Sequence, residues 1–178
     1  FDAGAKKVSI DPDVVKLRYQ TPISDKFGIE SSAAAYRNLM FAADNDGNLI
    51  CWDATSLEIL WAAELGDDTD STIVLDETPD GVFLYTGNEV DERAKTGGER
   101  IANFRKFDAM TGRQLWQYDV PAYYAGINGG ILATPIVGQG SLSDLVIVNI
   151  SRTTAPREGD LVALDKESGK VVWRRHLS

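Results

Sequence analysis

The chain has 178 residues, a length at which a single hydrophobic core buries enough surface to fold. Its 18 Lys and Arg against 27 Asp and Glu leave a net charge of −9, which argues against nucleic acids and anionic membrane surfaces as partners. One cysteine and one histidine exclude a disulfide framework, a multi-cysteine metal site and catalysis built on several histidines, and no apolar run approaches the roughly 20 residues of a membrane-spanning helix.

Short β-prone runs follow one another along the chain with almost no helical periodicity. Residues 8–10 and 14–20 flank Asp11 and read as two strands. Residues 39–43 and 49–53 are joined by Asp44-Asn45-Asp46-Gly47-Asn48, a polar Asp-Gly cluster typical of a tight hairpin. That cluster imitates the start of a calcium-binding EF-hand loop, but Leu49 and Thr55 stand at its sixth and twelfth positions, where Gly and Glu are required. It is read as a turn. The next strands are expected at 72–75, 82–85, 101–107 and 114–118, and the last group at 131–136, 145–150, 161–164 and 171–175. Each complete unit is then four short antiparallel strands.

A signature repeats at the end of each unit. Asp53 is followed eight residues later by Trp61, Asp108 by Trp116, and Asp165 by Trp173, with the aspartates 55 and 57 residues apart. A degenerate copy runs from Asp11 to Tyr19. Thr111-Gly112 and Ser168-Gly169 close the last hairpin of two units, glycine supplying a left-handed residue. Leu57 stands there in the first copy, a departure expected to cost stability or to force another turn type.

Four-stranded units at this period point to an all-β architecture, the β-propeller. The signature Asp…Gly-[Lys/Arg]-x-[Leu/Val]-Trp resembles the tryptophan-docking repeat of the pyrroloquinoline-quinone-like (PQQ-like) propeller family. The resemblance implies that Trp61, Trp116 and Trp173 are structural and staple consecutive blades together. By blade count the chain is an incomplete ring: a half blade over 1–26 and full blades over 27–65, 66–120 and 121–178. Since the family forms rings of seven or eight blades, the remaining blades or an oligomer mate are expected to close it. The resemblance also implies an exported bacterial protein, periplasmic or on the cell surface.

In such blades the first-to-second and third-to-fourth strand turns lie on one face, and the other connections on the opposite face. The long links, 66–71, 86–100, 121–130 and 151–159, share that second face. Long loops on a rigid scaffold are where binding residues collect. Candidates on it are Asp67, Asp68, Asp70, Asn88, Glu89, Tyr123, Tyr124, Asn128, Arg152 and Arg157. Between Arg37 and Arg93 there is no basic residue, and Asp44 to Glu92 carries fourteen acids. This run is read either as a solubilising surface or as a site for a cationic partner or calcium near Asp67, Asp68 and Asp70. The tyrosines and Asn128 offer a ledge for a glycan or peptide, and the arginines a grip on an anion. Cys51, in a strand beside Trp52, reads as a small buried hydrophobe.

The function expected is therefore a non-catalytic repeat domain that presents its loop face to a protein or glycan, with no catalytic residues, metal or cofactor. The alternative is a fragment of a quinoprotein dehydrogenase holding PQQ and calcium at the ring's centre. Tyr85-Thr86-Gly87-Asn88 and the stretch from Phe107 to Gly112 resemble parts of those enzymes. The adjacent-cysteine pair of their alcohol-oxidising members is absent.

Overall fold

The computed structural model describes residues 28–178. The half blade expected over 1–26, with Asp11 and Tyr19, lies outside the described residues. The first sheet runs β1 (Ala34–Tyr36), β2 (Leu39–Ala43), β3 (Asn48–Asp53) and β4 (Ile59–Glu64), each strand antiparallel to the next. The second takes β5 (Val74–Thr78) and β6 (Gly81–Gly87). A link then carries β7 (Glu89–Val90) and the single turn α1 (Glu92–Lys95), and the sheet continues with β8 (Ile101–Asp108) and β9 (Gln114–Pro121). After β10 (Gly129–Gly130), the third blade is β11 (Ile136–Val137), β12 (Leu145–Ser151), β13 (Gly159–Asp165) and β14 (Val171–Leu177).

Strand β12 alternates as a half-buried strand should, whereas β8 is buried on both faces between two blades. On β12, Val146, Val148 and Ile150 are fully buried while their neighbours are only partly so. The apolar faces meet between consecutive sheets. Phe41, Leu49, Cys51, Leu65, Leu84 and Phe107 form one core, and Tyr85, Phe104, Ile131, Val148 and Val162 form the next. Burial pushes the Cys51 thiol up to about 11, the state of an inert core residue.

One expected strand divides. Residues 131–136 do not form a single inner strand: β10 precedes them, β11 begins only at Ile136, and Ile131 between them is wholly buried. Pro135 lacks the N–H that a continuous ladder requires. The Ala133 carbonyl instead accepts a hydrogen bond at 3.1 Å from Ser71 Oγ of the link between the first and second blades.

The tryptophans dock blade to blade. Trp61 on β4 donates its indole N–H to the Ala109 carbonyl of the second sheet at 3.2 Å, and Trp116 on β9 donates to the Lys166 carbonyl of the third at 3.0 Å. Each ring lies flat over the signature glycine of the next blade. A Cβ at Gly112 would stand 2.6 Å from the Trp61 ring, and one at Gly169 2.7 Å from that of Trp116. Glycine therefore meets two demands at once, a left-handed φ and room for the neighbour's indole. Trp173 holds the equivalent place on β14.

Leu57 keeps this turn and does not change its type. Its N–H reaches the Asp53 carbonyl at 2.9 Å, as Gly112 and Gly169 reach Asp108 and Asp165. The cost is a φ of 60°, a left-handed conformation that a branched side chain resists. Leu57→Gly should therefore raise stability by about 1 kcal/mol, read as a melting temperature roughly 2–4 °C higher. A lower melting temperature would mean that the half-buried Leu57 side chain contributes more by packing than its backbone loses to strain.

Candidate functional site

Antiparallel order places the link between β6 and β8, the link between β12 and β13, and the inter-blade links at one end of the sheets. There the links pair with each other. Gly129 and Gly130 of β10 lie opposite Val90 and Glu89 of β7, and Gly130 also pairs with Ser151 of β12. A small ladder thus runs across the second and third blades. It needs glycine: a Cβ at 129 would fall 2.4 Å from the Tyr123 carbonyl oxygen, and one at 130 would fall 2.8 Å from the Ala102 Cβ.

Beneath this ladder Glu89 is completely buried, with its N–H on the Asp68 carbonyl at 2.9 Å. One carboxylate oxygen, Oε1, accepts from Asn128 Nδ2. Arg152 donates to the Asn128 carbonyl, while its own carbonyl accepts from the Tyr123 N–H. Asp68 is buried beside Glu89, and oxygens of Asp68, Glu89 and Asp91 all lie within 4.8 Å of one another. Burial, then the neighbouring Asp70 and Asp68 charges, pushes the Glu89 carboxyl up to about 9. Burial and Asp70 raise Asp68 to about 7, and burial with the Glu30 charge raises Asp70.

The other acids and polar groups are committed to the fold. Asp67 accepts from the N–H groups of Asp91 and Glu92 and pairs with Arg93 at 3.2 Å, tying the inter-blade link to α1. Asn88 receives the Asn103 N–H and the Arg105 guanidinium, both at 3.1 Å, on its side-chain oxygen. Tyr124 packs against the second core. Arg157 is exposed and lines, with Arg152 and Leu177, an open cavity of about 400 Å³ beside β14. The structure thus gathers Asp68, Asp70, Glu89, Asn128 and Arg152 and leaves Tyr124 and Arg157 apart.

Two features escaped the sequence reading. Asp91 belongs to the carboxylate group, yet in sequence it is one acid among fourteen. A cavity of about 700 Å³ opens at the opposite, tight-turn end, lined by Asp76, Phe83, Tyr85, Lys106 and Lys166 among others. Lys106 Nζ lies 3.9 Å from the Phe83 ring centroid and donates to the Lys166 carbonyl at 2.9 Å. Lys166 Nζ pairs with Asp76 at 3.0 Å. Burial lowers the Lys106 pKa. Its parity with buried Ala102 and Phe104 on β8 is the sequence signal that Lys106 faces inward.

Four-stranded antiparallel blades, each docked by a tryptophan onto the next blade's glycine, define a segment of a PQQ-like β-propeller. Residues 11–178 match the model of the family described as outer membrane protein assembly factor BamB, and the chain belongs to that family. Solved structures share the fold. A quinohemoprotein alcohol dehydrogenase from Comamonas testosteroni superposes at a TM-score of 0.59 with 16% identity, over 84% of this chain and 21% of that one. The quinohemoprotein alcohol dehydrogenase ADHIIG from Pseudomonas putida HK5 gives 0.53 with 13% identity, over 80% and 26%. A europium-containing methanol dehydrogenase gives 0.52 with 17% identity, over 90% and 27%. The chain therefore spans about a quarter or less of these enzymes, and the likeness is one of fold. No curated protein sequence matches the chain. Among the described residues no helix is long and apolar enough to cross a membrane.

Proposed function

We propose that the chain is a non-catalytic part of a PQQ-like propeller in an exported bacterial protein, and that its loop face binds a protein or glycan. The observation that carries this reading is the ladder from β7 through β10 to β12, which makes a rigid platform of links from two blades. A platform whose polar groups are pre-positioned loses little entropy when a ligand docks. Tyr123 and Ile127 in the link to β10 are partly or fully exposed, and exposed Arg157 reaches the platform's edge through the cavity it shares with Arg152. The remaining blades, or an oligomer mate, complete the ring. Family membership supports export, since PQQ-like propellers of this kind are mostly extracytoplasmic.

The kinship in fold with quinoprotein dehydrogenases supports a second reading, an enzyme fragment with PQQ and calcium. Two residues that prompted it make contacts within the fold: the Tyr85 ring packs against those of Phe104 and Trp116, and the Asn88 side-chain oxygen holds Asn103 and Arg105. These contacts support the first reading over the second.

Both readings are tested on the intact natural polypeptide. A photo-reactive residue at position 157 should cross-link a cell-envelope protein, or a glycan array should give a signal lost in Tyr123→Ala with Arg157→Ala. A photo-reactive residue at Met110, on the tight-turn face, should cross-link nothing. Cross-links only from Met110 would overturn the loop-face reading. Adding PQQ at constant calcium should leave the absorption spectrum of the cofactor unchanged; a shifted, saturable spectrum would favour the enzyme.

A further inference from the structure

Asp68 comes from the link between the first and second blades, and Glu89 and Asp91 from the link between β6 and β8. All three residues are nearly or wholly inaccessible, at 5%, 0% and 3% exposure. Like charges this close repel strongly once water is removed, so such a group persists only when protonated or neutralised by a counter-charge. Two of its oxygens carry the argument. Asp68 Oδ1 and Glu89 Oε2 are buried and have no hydrogen-bond partner. A buried acceptor without a donor costs about 1–3 kcal/mol and is rare in native proteins.

The nearby basic side chains point elsewhere. Arg93 serves Asp67, the Ile101 carbonyl and Asn103; Arg105 serves Asn88 and Gln117; Arg152 serves the Asn128 carbonyl. Lys95 pairs with Asp91 and Glu92 at the surface. Among the described residues no ion pair reaches Asp68 or Glu89. Asn88, next to Glu89, is engaged with Asn103 and Arg105, as expected where successive extended residues point to opposite sides. The carboxylate group is therefore separate from that asparagine.

We propose that Asp68, Glu89 and Asp91 bind a divalent cation of the calcium class, in place of the expected absence of a metal and with a different set of carboxylates from the Asp67, Asp68 and Asp70 of the alternative reading. All three are oxygen donors, with no sulfur or imidazole among them, which suits a hard cation. Oxygens within 4.8 Å of one another fit around one such ion, whose ligands at about 2.3–2.6 Å stand at most about 5 Å apart. A cavity of about 190 Å³, lined by Asn45, Asp46, Gly66, Asp67, Asp68 and Glu92 among others, gives Asp68 a route to solvent. Bound there, the ion ties the inter-blade link to β7, and through Asn128 to the third blade.

The test uses the intact polypeptide stripped with a chelator, then titrated calorimetrically with calcium chloride or magnesium chloride. Calcium should bind saturably and raise the melting temperature, and magnesium should bind at least tenfold more weakly. Glu89→Gln and Asp68→Asn should each weaken calcium binding at least tenfold while keeping the strand signature in circular dichroism. Glu89→Asp, which keeps the charge but shortens the reach, should weaken it less than Glu89→Gln. No saturable heat at millimolar calcium in the unsubstituted protein would overturn the proposal, whatever the variants do. So would calcium binding unchanged in folded Glu89→Gln and Asp68→Asn.

Discussion

Replacing Trp116 by alanine should destabilise the protein by about 3–5 kcal/mol, a fall of roughly 6–20 °C in melting temperature for a chain of this size. The indole meets the Tyr85 ring at 5.8 Å and the Phe104 ring at 5.9 Å, centroid to centroid. It also covers Gly169 and donates to the Lys166 carbonyl, so its loss opens a cavity and removes a link to the third blade. In a repeat array, stability is carried largely by interfaces between neighbours, and cooperativity fails where an interface is weakened. Thermal unfolding should therefore broaden or divide into two steps, with the third blade melting first. Trp116→Phe keeps much of the area but not the N–H, and should cost clearly less than alanine. A loss under about 1 kcal/mol for the alanine variant, within the range of surface substitutions, would mean that the indole does not join the blades.

The second large effect lies at Glu89 and has a definite sign with pH. In chelator its carboxyl is raised from an ordinary 4.5 to about 9 by burial and by the acids around it. The unfolded chain releases this proton near pH 4.5, while the folded chain holds it until about pH 9. The folded state then binds more protons, so stability is full below pH 4.5 and falls as pH rises toward 9. By pH 7 the loss from this group is about 3 kcal/mol. Asp68, raised to about 7, adds to the fall over its lower window. Glu89→Gln keeps an acceptor for Asn128 and cannot ionise. In chelator it should be more stable than the unsubstituted protein at pH 7 and show a flatter pH profile. Urea unfolding at pH 5, 7 and 8.5 measures this directly; a less stable Glu89→Gln at pH 7 would refute it. Saturating calcium should reverse the order, because only the carboxylate repays its desolvation by holding an ion.

The strands that repeat were legible because each is announced locally. β2 and β3 are short apolar runs closed by a polar turn, β9 alternates Trp116, Tyr118 and Val120, and the signature turns carry their Asp, and in two copies their Gly, at fixed spacing. The inner strand of the third blade was not. Its apolar run, Ile131 to Ile136, looks continuous, but Pro135 and the docking of Gly129-Gly130 onto β7 decide where pairing begins. The turn at Leu57 shows the converse. A copy without glycine can either change its turn or strain it; the chain accepts a positive φ and keeps the turn hydrogen bond of its neighbours.

Of the candidate site, the acids were visible but their fates were not. Asp67 and Asp68 are adjacent in sequence, yet one is neutralised by Arg93 and the N–H groups at α1 while the other keeps an oxygen without a donor. That difference depends on which residues of the 88–100 link fold back over the 66–71 link.

By itself, the amino-acid sequence determined the unit: the four-strand period, the Asp-to-Trp spacing, the family, and the end of the blades where the long links gather. These are short-range properties, set by alternation, turn chemistry and repetition. The tertiary structure alone decided which acids are buried with an oxygen that has no donor and that Asp91 lies beside them. It also decided that β10 crosses from one blade's link to another's. Burial and partner choice arise from contacts between residues dozens of positions apart, and an isolated run of acids carries no record of how those contacts close.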